Sequence, residues 1–194
     1  MPTVRTTDTM DVLVLGDSVP DGARTDAPGW SRRLPDRVAS SGIDVTVRAE
    51  MSTELAELAD RASIPDERTV VLVRAGHNDA QLGGGDPRVP EERFRAAAAE
   101  LDERLAASAA VARHAFVGLV PLLPLNDPGT VPLSDAQPAR SLDYDDALAA
   151  AVETHLPVAR PVEAWHDRTT DGVHPDDAGH AHVADRVADW LRSA

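Results

Sequence analysis

Three short segments carry the residue types that nucleophilic acyl chemistry requires. Gly16-Asp17-Ser18 directly follows an apolar run, and Gly76-His77-Asn78-Asp79 closes a second one. Asp171 and His174 stand near the other end of the chain, within Asp171-Gly172-Val173-His174-Pro175. A serine hydroxyl is a poor nucleophile until a base takes its proton, and a neutral imidazole needs a carboxylate to fix its tautomer. The anion that follows needs donors aimed at the new charge, which the Asn78 carboxamide can supply. All these parts occur at the ends of strand-like runs, where a parallel sheet brings them together. The pattern is that of a hydrolase.

The elements that must position these residues are legible as alternating apolar runs and helical patterns, which points to an α/β fold with a parallel sheet. Val12-Leu13-Val14-Leu15, Val45-Thr46-Val47, Thr69 to Val73 and Ala115 to Val120 are expected strands. A fifth is expected around Val158 to Val162, at an edge because of Pro157 and Pro161. Helices are expected over Ser52–Arg61, with Ser52 or Thr53 as N-cap, and over Pro90–Val111, Leu142–His155 and Asp176–Arg192. Leu82 to Pro87 reads as a flap over the site, and Pro121 to Pro138 as a binding loop. Ligands of open parallel sheets bind beyond the carboxyl ends of the strands, where Ser18 and Asn78 stand.

Composition narrows the function classes. A chain of 194 residues fits one domain spanning 1–194. A net charge of -14 argues against nucleic acid and anionic membranes as partners, and aromatics at 3% offer few stacking platforms. Cysteine is absent, which removes disulfides and thiolate metal sites. The N-terminus lacks a basic stretch followed by a long apolar core, and no apolar run approaches the ~20 residues of a membrane span. The expectation is a soluble, cytoplasmic protein. All 19 basic residues are arginine, and 23 aspartates stand against 10 glutamates. Codon bias in a GC-rich genome and adaptation to a salty cytoplasm both produce that pattern.

Taken together, the three blocks resemble the SGNH/GDSL hydrolase superfamily over almost the whole chain. The resemblance implies a three-layer α/β/α sandwich with a five-stranded parallel sheet of flavodoxin-like type. It implies Ser18 as nucleophile, His174 as general base then acid, and Asp171 as its orienting acid. The Asn78 amide and the backbone N–H of Ser18 would form the oxyanion hole, on a small carboxylic ester or thioester, with no metal or organic cofactor. The competing Gly-x-Ser-x-Gly elbow fails, because Pro20 stands where its second glycine belongs. One departure concerns the family's second block, whose glycine N–H usually joins the oxyanion hole. Thr53 occupies that position: its backbone N–H survives the substitution and can still join the hole, while its β-branched side chain resists positive φ and narrows the cleft. A lost donor would cost about 3 kcal/mol of transition-state stabilisation.

Other residues have two readings. His77 touches substrate or merely fills the variable position of its motif, and Trp165 lines the pocket or packs in the core. His166, Asp167, His174, His180 and His182 invite a metal reading, but His180 and His182 are two apart on an expected helix and face different ways. No metal site is expected. Three functions remain: an esterase, a transferase passing the same acyl group to an alcohol or amine, and a silent binding protein. Intact Ser18, Asp171 and His174 weigh against the last, and the first two differ only in what attacks the acyl-enzyme.

Overall fold

Val12, Leu13, Val14 and Leu15 are all buried, as a strand requires when layers pack on both its faces. They form the centre of β1 (Met10–Gly16) in a computed structural model that describes residues 9–38, 42–64, 66–83, 86–124 and 137–193. A 3₁₀ turn (Trp30–Arg33) and α1 (Leu34–Arg37) lead to β2 (Ile43–Ala49), and α2 (Leu55–Arg61) leads to β3 (Thr69–Arg74). The single turn α3 (His77–Ala80) precedes β4 (Leu82–Gly83) and β5 (Asp86–Pro87), which pair antiparallel. Then come α4 (Glu91–Ala107), β6 (Val111–Val117), α5 (Gln137–Ala151) and β7 (His155–Leu156). A second 3₁₀ segment (Val162–Asp167) and α6 (Asp177–Arg192) complete the described chain.

The main sheet has five strands in the order β2-β1-β3-β6-β7, every pair parallel. Alternation along each strand sorts its side chains onto two cores. Leu13, Leu15, Val71 and Val73 meet α2, α4 and α5 on one face, and Val12, Val14 and Leu72 meet Trp30, α1 and α6 on the other. The fold is the expected three-layer α/β/α sandwich. The direction of winding reverses between β1 and β3, which opens a crevice at their carboxyl ends. Ser18 follows β1 and Asn78 follows β3, so both stand at that crevice.

Element boundaries moved where long-range pairing overrides local pattern. The fifth strand is His155–Leu156, not Val158 to Val162, because Pro157 has no N–H to extend the ladder and Val162 opens a 3₁₀ segment. The alanine-rich run after Pro90 leaves the helix at Ser108, whose backbone turns extended, and Val111 already belongs to β6. α5 begins at Gln137 and carries Pro138 in its first turn, where proline is tolerated. Residues 125–136 of the expected binding loop, and 84–85 of the expected flap, lie outside the described residues. The N-cap of α2 is Glu54, in a reciprocal box with Glu57, rather than Ser52 or Thr53.

Two buried carboxylates tie the loops of the crevice together. Asp17 is fully buried, receives Arg74 Nη1 at 2.7 Å on one oxygen and accepts the Val19 N–H at 2.9 Å on the other. Arg74, 1% exposed, donates through Nη2 to His77 Nδ1 at 3.0 Å, and His77 Nε2–H donates to the Val120 carbonyl at 2.9 Å. One guanidinium thus links the turn after β1, the end of β3, α3 and the exit of β6. Burial pulls the Arg74 guanidinium down, and Asp17 opposes that pull. Gly76 lets the chain turn between Arg74 and His77: its φ is 126°, and a Cβ there would meet Phe94 at 2.9 Å. Asp79, also buried, accepts the Leu55 N–H at 3.1 Å and so fastens α3 to the start of α2.

Arg74→Met leaves Asp17 charged, buried and unpaired, and is expected to cost about 3–5 kcal/mol of stability. In a chain of this size that lowers Tm by roughly 10 °C. Adding Asp17→Asn should recover part of the loss, and a wild-type Tm in Arg74→Met alone would contradict the tie. Asp79 yields a pH prediction. Burial pushes its carboxyl up to about 7, against the Leu55 N–H, which holds it down. An unfolded aspartate titrates near ~3.9. Between about 4 and about 7 the folded chain therefore keeps a proton that the unfolded chain releases, and stability falls as pH rises. Asp79→Asn cannot ionise, so it should gain on wild type across that window and no further above it. Thermal denaturation of both proteins over this range checks the sign.

Candidate active site

The sharp turn that carries Ser18 is set by close approach of β1 and β3. The Asp17 N–H donates to the Arg74 carbonyl at 3.1 Å, and a Cβ on Gly16 would stand 2.7 Å from that same oxygen. Only glycine fits there. Val19 and Pro20 then fold back, with the Ala23 N–H donating to the Ser18 carbonyl at 3.2 Å. The serine side chain is thus presented at the crevice from a turn fixed at both ends.

Asp171 and His174 reach the same point from a second tight turn, ahead of α6. Asp171 Oδ1 accepts the backbone N–H of Val173 at 3.0 Å and of His174 at 2.8 Å. The turn is braced by Thr169, whose hydroxyl donates to the His174 carbonyl at 2.9 Å. Downstream, Asp176 caps α6 by accepting the Gly179 N–H at 2.9 Å, which anchors the loop ahead of that helix. His174 Nδ1–H donates to Asp171 Oδ2 at 2.8 Å, and His174 Nε2 lies 3.1 Å from Ser18 Oγ. With Nδ1 protonated, Nε2 is the nitrogen free to accept the serine proton. Burial works to raise the Asp171 carboxyl, but the hydrogen bonds from the His174 ring and the two backbone N–H groups outweigh it and hold the acid at about 2. It is a carboxylate at any neutral pH.

Asn78, on α3, faces the crevice and donates one amide hydrogen to the Thr53 carbonyl at 3.0 Å. That bond orients the carboxamide and leaves its second N–H for another acceptor. Thr53 itself is 2% exposed, and its side chain does not line the crevice. The conformational demand expected at Thr53 falls one residue earlier. Ser52 takes the left-handed backbone at φ 63°, Thr53 does not, and it is Ser52 that borders the crevice. The β-branched side chain is therefore neither strained nor an obstruction.

Ser18, His77, Asn78, Asp171 and His174 all border one cavity of about 160 Å³. His77 does so as a buried ring clamped between Arg74 and Val120, and burial, then the neighbouring guanidinium, push it well below histidine's ordinary range. It is a neutral fixture of the wall. Trp165 is not brought to the cavity. It is 1% exposed in the core beneath α6, with its ring 5.8 Å from that of His182. His180 is buried in α6 and His182 Nε2–H donates to the Val158 carbonyl at 3.1 Å, so the C-terminal histidines diverge. Sequence reasoning missed Arg74 altogether. Its signal was a lone cation ending the wholly apolar run Val70 to Val73, two residues before Gly76.

Comparison with known proteins places the chain among relatives. Residues 14–182 match the GDSL-like lipase/acylhydrolase family. A GDSL lipase of Mycobacterium tuberculosis is 27% identical over 91% of this chain and 79% of its own. Among solved structures, an acetylxylan esterase from Geobacillus stearothermophilus superimposes with a TM-score of 0.72, at 16% identity, over 95% of this chain and 94% of its own. A carbohydrate acetylesterase from Sinorhizobium meliloti does so with 0.69, at 15% identity, over 95% and 99%. These two likenesses are of fold. The family match spans all three blocks that hold the serine, the asparagine and the acid–histidine pair, and the chain belongs to the GDSL-like lipase/acylhydrolase family of carboxylic ester hydrolases.

Proposed function

We propose that the protein cleaves a small carboxylic ester or thioester through an acyl-enzyme on Ser18. The observation that carries this reading is the continuous relay from Ser18 Oγ to His174 Nε2 at 3.1 Å and from His174 Nδ1 to Asp171 at 2.8 Å. Ser18 Oγ attacks the acyl carbon while its proton passes to His174 Nε2. The carbonyl oxygen becomes an oxyanion, received by the Ser18 N–H and the free N–H of Asn78, with the Thr53 N–H as a third donor. His174 gives its proton to the departing alcohol or thiol, and the carbon–heteroatom bond breaks. Water then loses a proton to the same nitrogen and attacks the acyl-serine, releasing the acid and restoring Ser18. Asp171 stays ionised throughout and stabilises the transient imidazolium. The small cavity suits short acyl groups, as do the acetylesterase names of the two structural relatives.

A panel of chromogenic esters, run with and without acceptor alcohols, tests the reaction. Hydrolysis by wild type is expected, and Ser18→Ala should lose at least about 10⁴-fold in kcat while keeping its circular-dichroism spectrum. Asp171→Asn is expected to lose a similar factor, because it favours the wrong tautomer of His174. Most of the activity surviving in folded Ser18→Ala would sink the mechanism. For the oxyanion hole, Asn78→Ala should lower kcat by about 10²–10³. Thr53→Gly should leave kcat near wild type, since position 53 already has an ordinary backbone. A large gain in Thr53→Gly would instead mean that its N–H is misaimed in the wild-type protein.

A further inference from the structure

The mouth of the cavity holds groups for which bond cleavage has no use. Arg24 and Arg88 both border it, in a chain whose net charge of -14 otherwise repels anions. The two cations are not equivalent. Arg88 is engaged, with Nε 3.2 Å from Glu54 Oε1 and Nη2 donating to the Ser52 carbonyl at 3.3 Å. Arg24 takes part in none of the ion pairs formed among the described residues.

Arg24 is also held in an unfavourable backbone. Its φ is 61°, and it and Ser52 are the only non-glycine residues with positive φ among those described. Both border this one cavity. Such strain persists where the surrounding structure imposes it, and it gathers at ligand-binding positions. The imposing structure is the nucleophile turn itself, since the Ala23 N–H donates to the Ser18 carbonyl and the Thr25 N–H to that of Gly22. The position of Arg24 is thereby set relative to Ser18. Beside Ser52 stands Met51, 63% exposed, which also borders the cavity and is the one large apolar side chain left open to solvent among the described residues.

We propose that the ester carries an anionic group, a carboxylate or a phosphate, close to the bond that is cleaved. Arg24 receives that group in the paired geometry that guanidinium offers to such anions, and Arg88 is the second cation. Met51 covers the apolar stem of the same substrate. This rests on Ser18 being the nucleophile, and it narrows the substrate from small esters in general to charged ones.

Two matched pairs of substrates test it at low ionic strength. On the acyl side, the mono-4-nitrophenyl ester of glutaric acid is set against 4-nitrophenyl valerate. On the alcohol side, 4-acetoxyphenyl phosphate is set against 4-methylphenyl acetate. Wild type is expected to favour the anionic member of at least one pair by about tenfold in kcat/KM, mostly through KM, and to lose the preference in high salt. Arg24→Gln should abolish that ratio and Arg24→Lys restore part of it. Equal rates on both members of both pairs, or an unchanged ratio in Arg24→Gln, would overturn the proposal while hydrolysis of the neutral esters left the Ser18 reading standing. A folded wild-type protein that cleaves none of the four would overturn both.

Discussion

The crevice depends on a buried ion pair. Asp17 and Arg74 lie side by side with essentially no exposure, one beside Ser18 and the other at the end of the neighbouring strand. Isolated charges are not tolerated at such depth, so each is kept only by the other and by hydrogen bonds that use their remaining valences. Asp17 spends its second oxygen on Val19, within the turn that aims Ser18. Arg74 spends its second nitrogen on His77, one residue before Asn78. The Ser18 turn and the Asn78 segment therefore share one electrostatic anchor, at the point where the sheet's winding reverses and the crevice opens. A substitution at Arg74 therefore reaches both the Ser18 turn and the Asn78 segment.

A second layer of ties fixes the segment around Asn78. Asp79 holds the start of α2 through Leu55, and Asn78 holds Thr53 from the same short turn. The segment between β2 and α2 is thus pinned to α3 at adjacent residues. The left-handed backbone of this segment falls at Ser52, on the rim. The rim carries cations and a methionine, while the floor carries the serine, the histidine and a neutral His77.

Much of this was legible in the chain, for physical reasons that vary by element. Val12 to Leu15 and Val70 to Val73 announce central strands because burial on both faces leaves no room for polar residues. Once two such strands are placed in parallel, the residues just after them must be neighbours, and Ser18 and Asn78 follow. The Asp171–His174 pair was legible because its spacing is local. The shift of the fifth strand to His155 was not, since two residues are too few to show a pattern and their pairing with Phe116 and Val117 is remote in sequence. Arg74 was hidden for the same reason: its partner Asp17 lies 57 positions away. The left-handed position was not legible either: it falls at Ser52 and not at Thr53, since φ follows local context rather than the family's usual residue.

The central claim is that the acyl group passes through Ser18, and covalent trapping tests it most directly. Wild-type protein is mixed with 4-nitrophenyl acetate, quenched in acid within the first turnover and digested for peptide mass spectrometry. The account predicts an acetyl group on Ser18, absent from the His174→Ala protein under the same quench. Release of nitrophenol by folded wild type with Ser18 unmodified, or with the acetyl group on another residue, would contradict it.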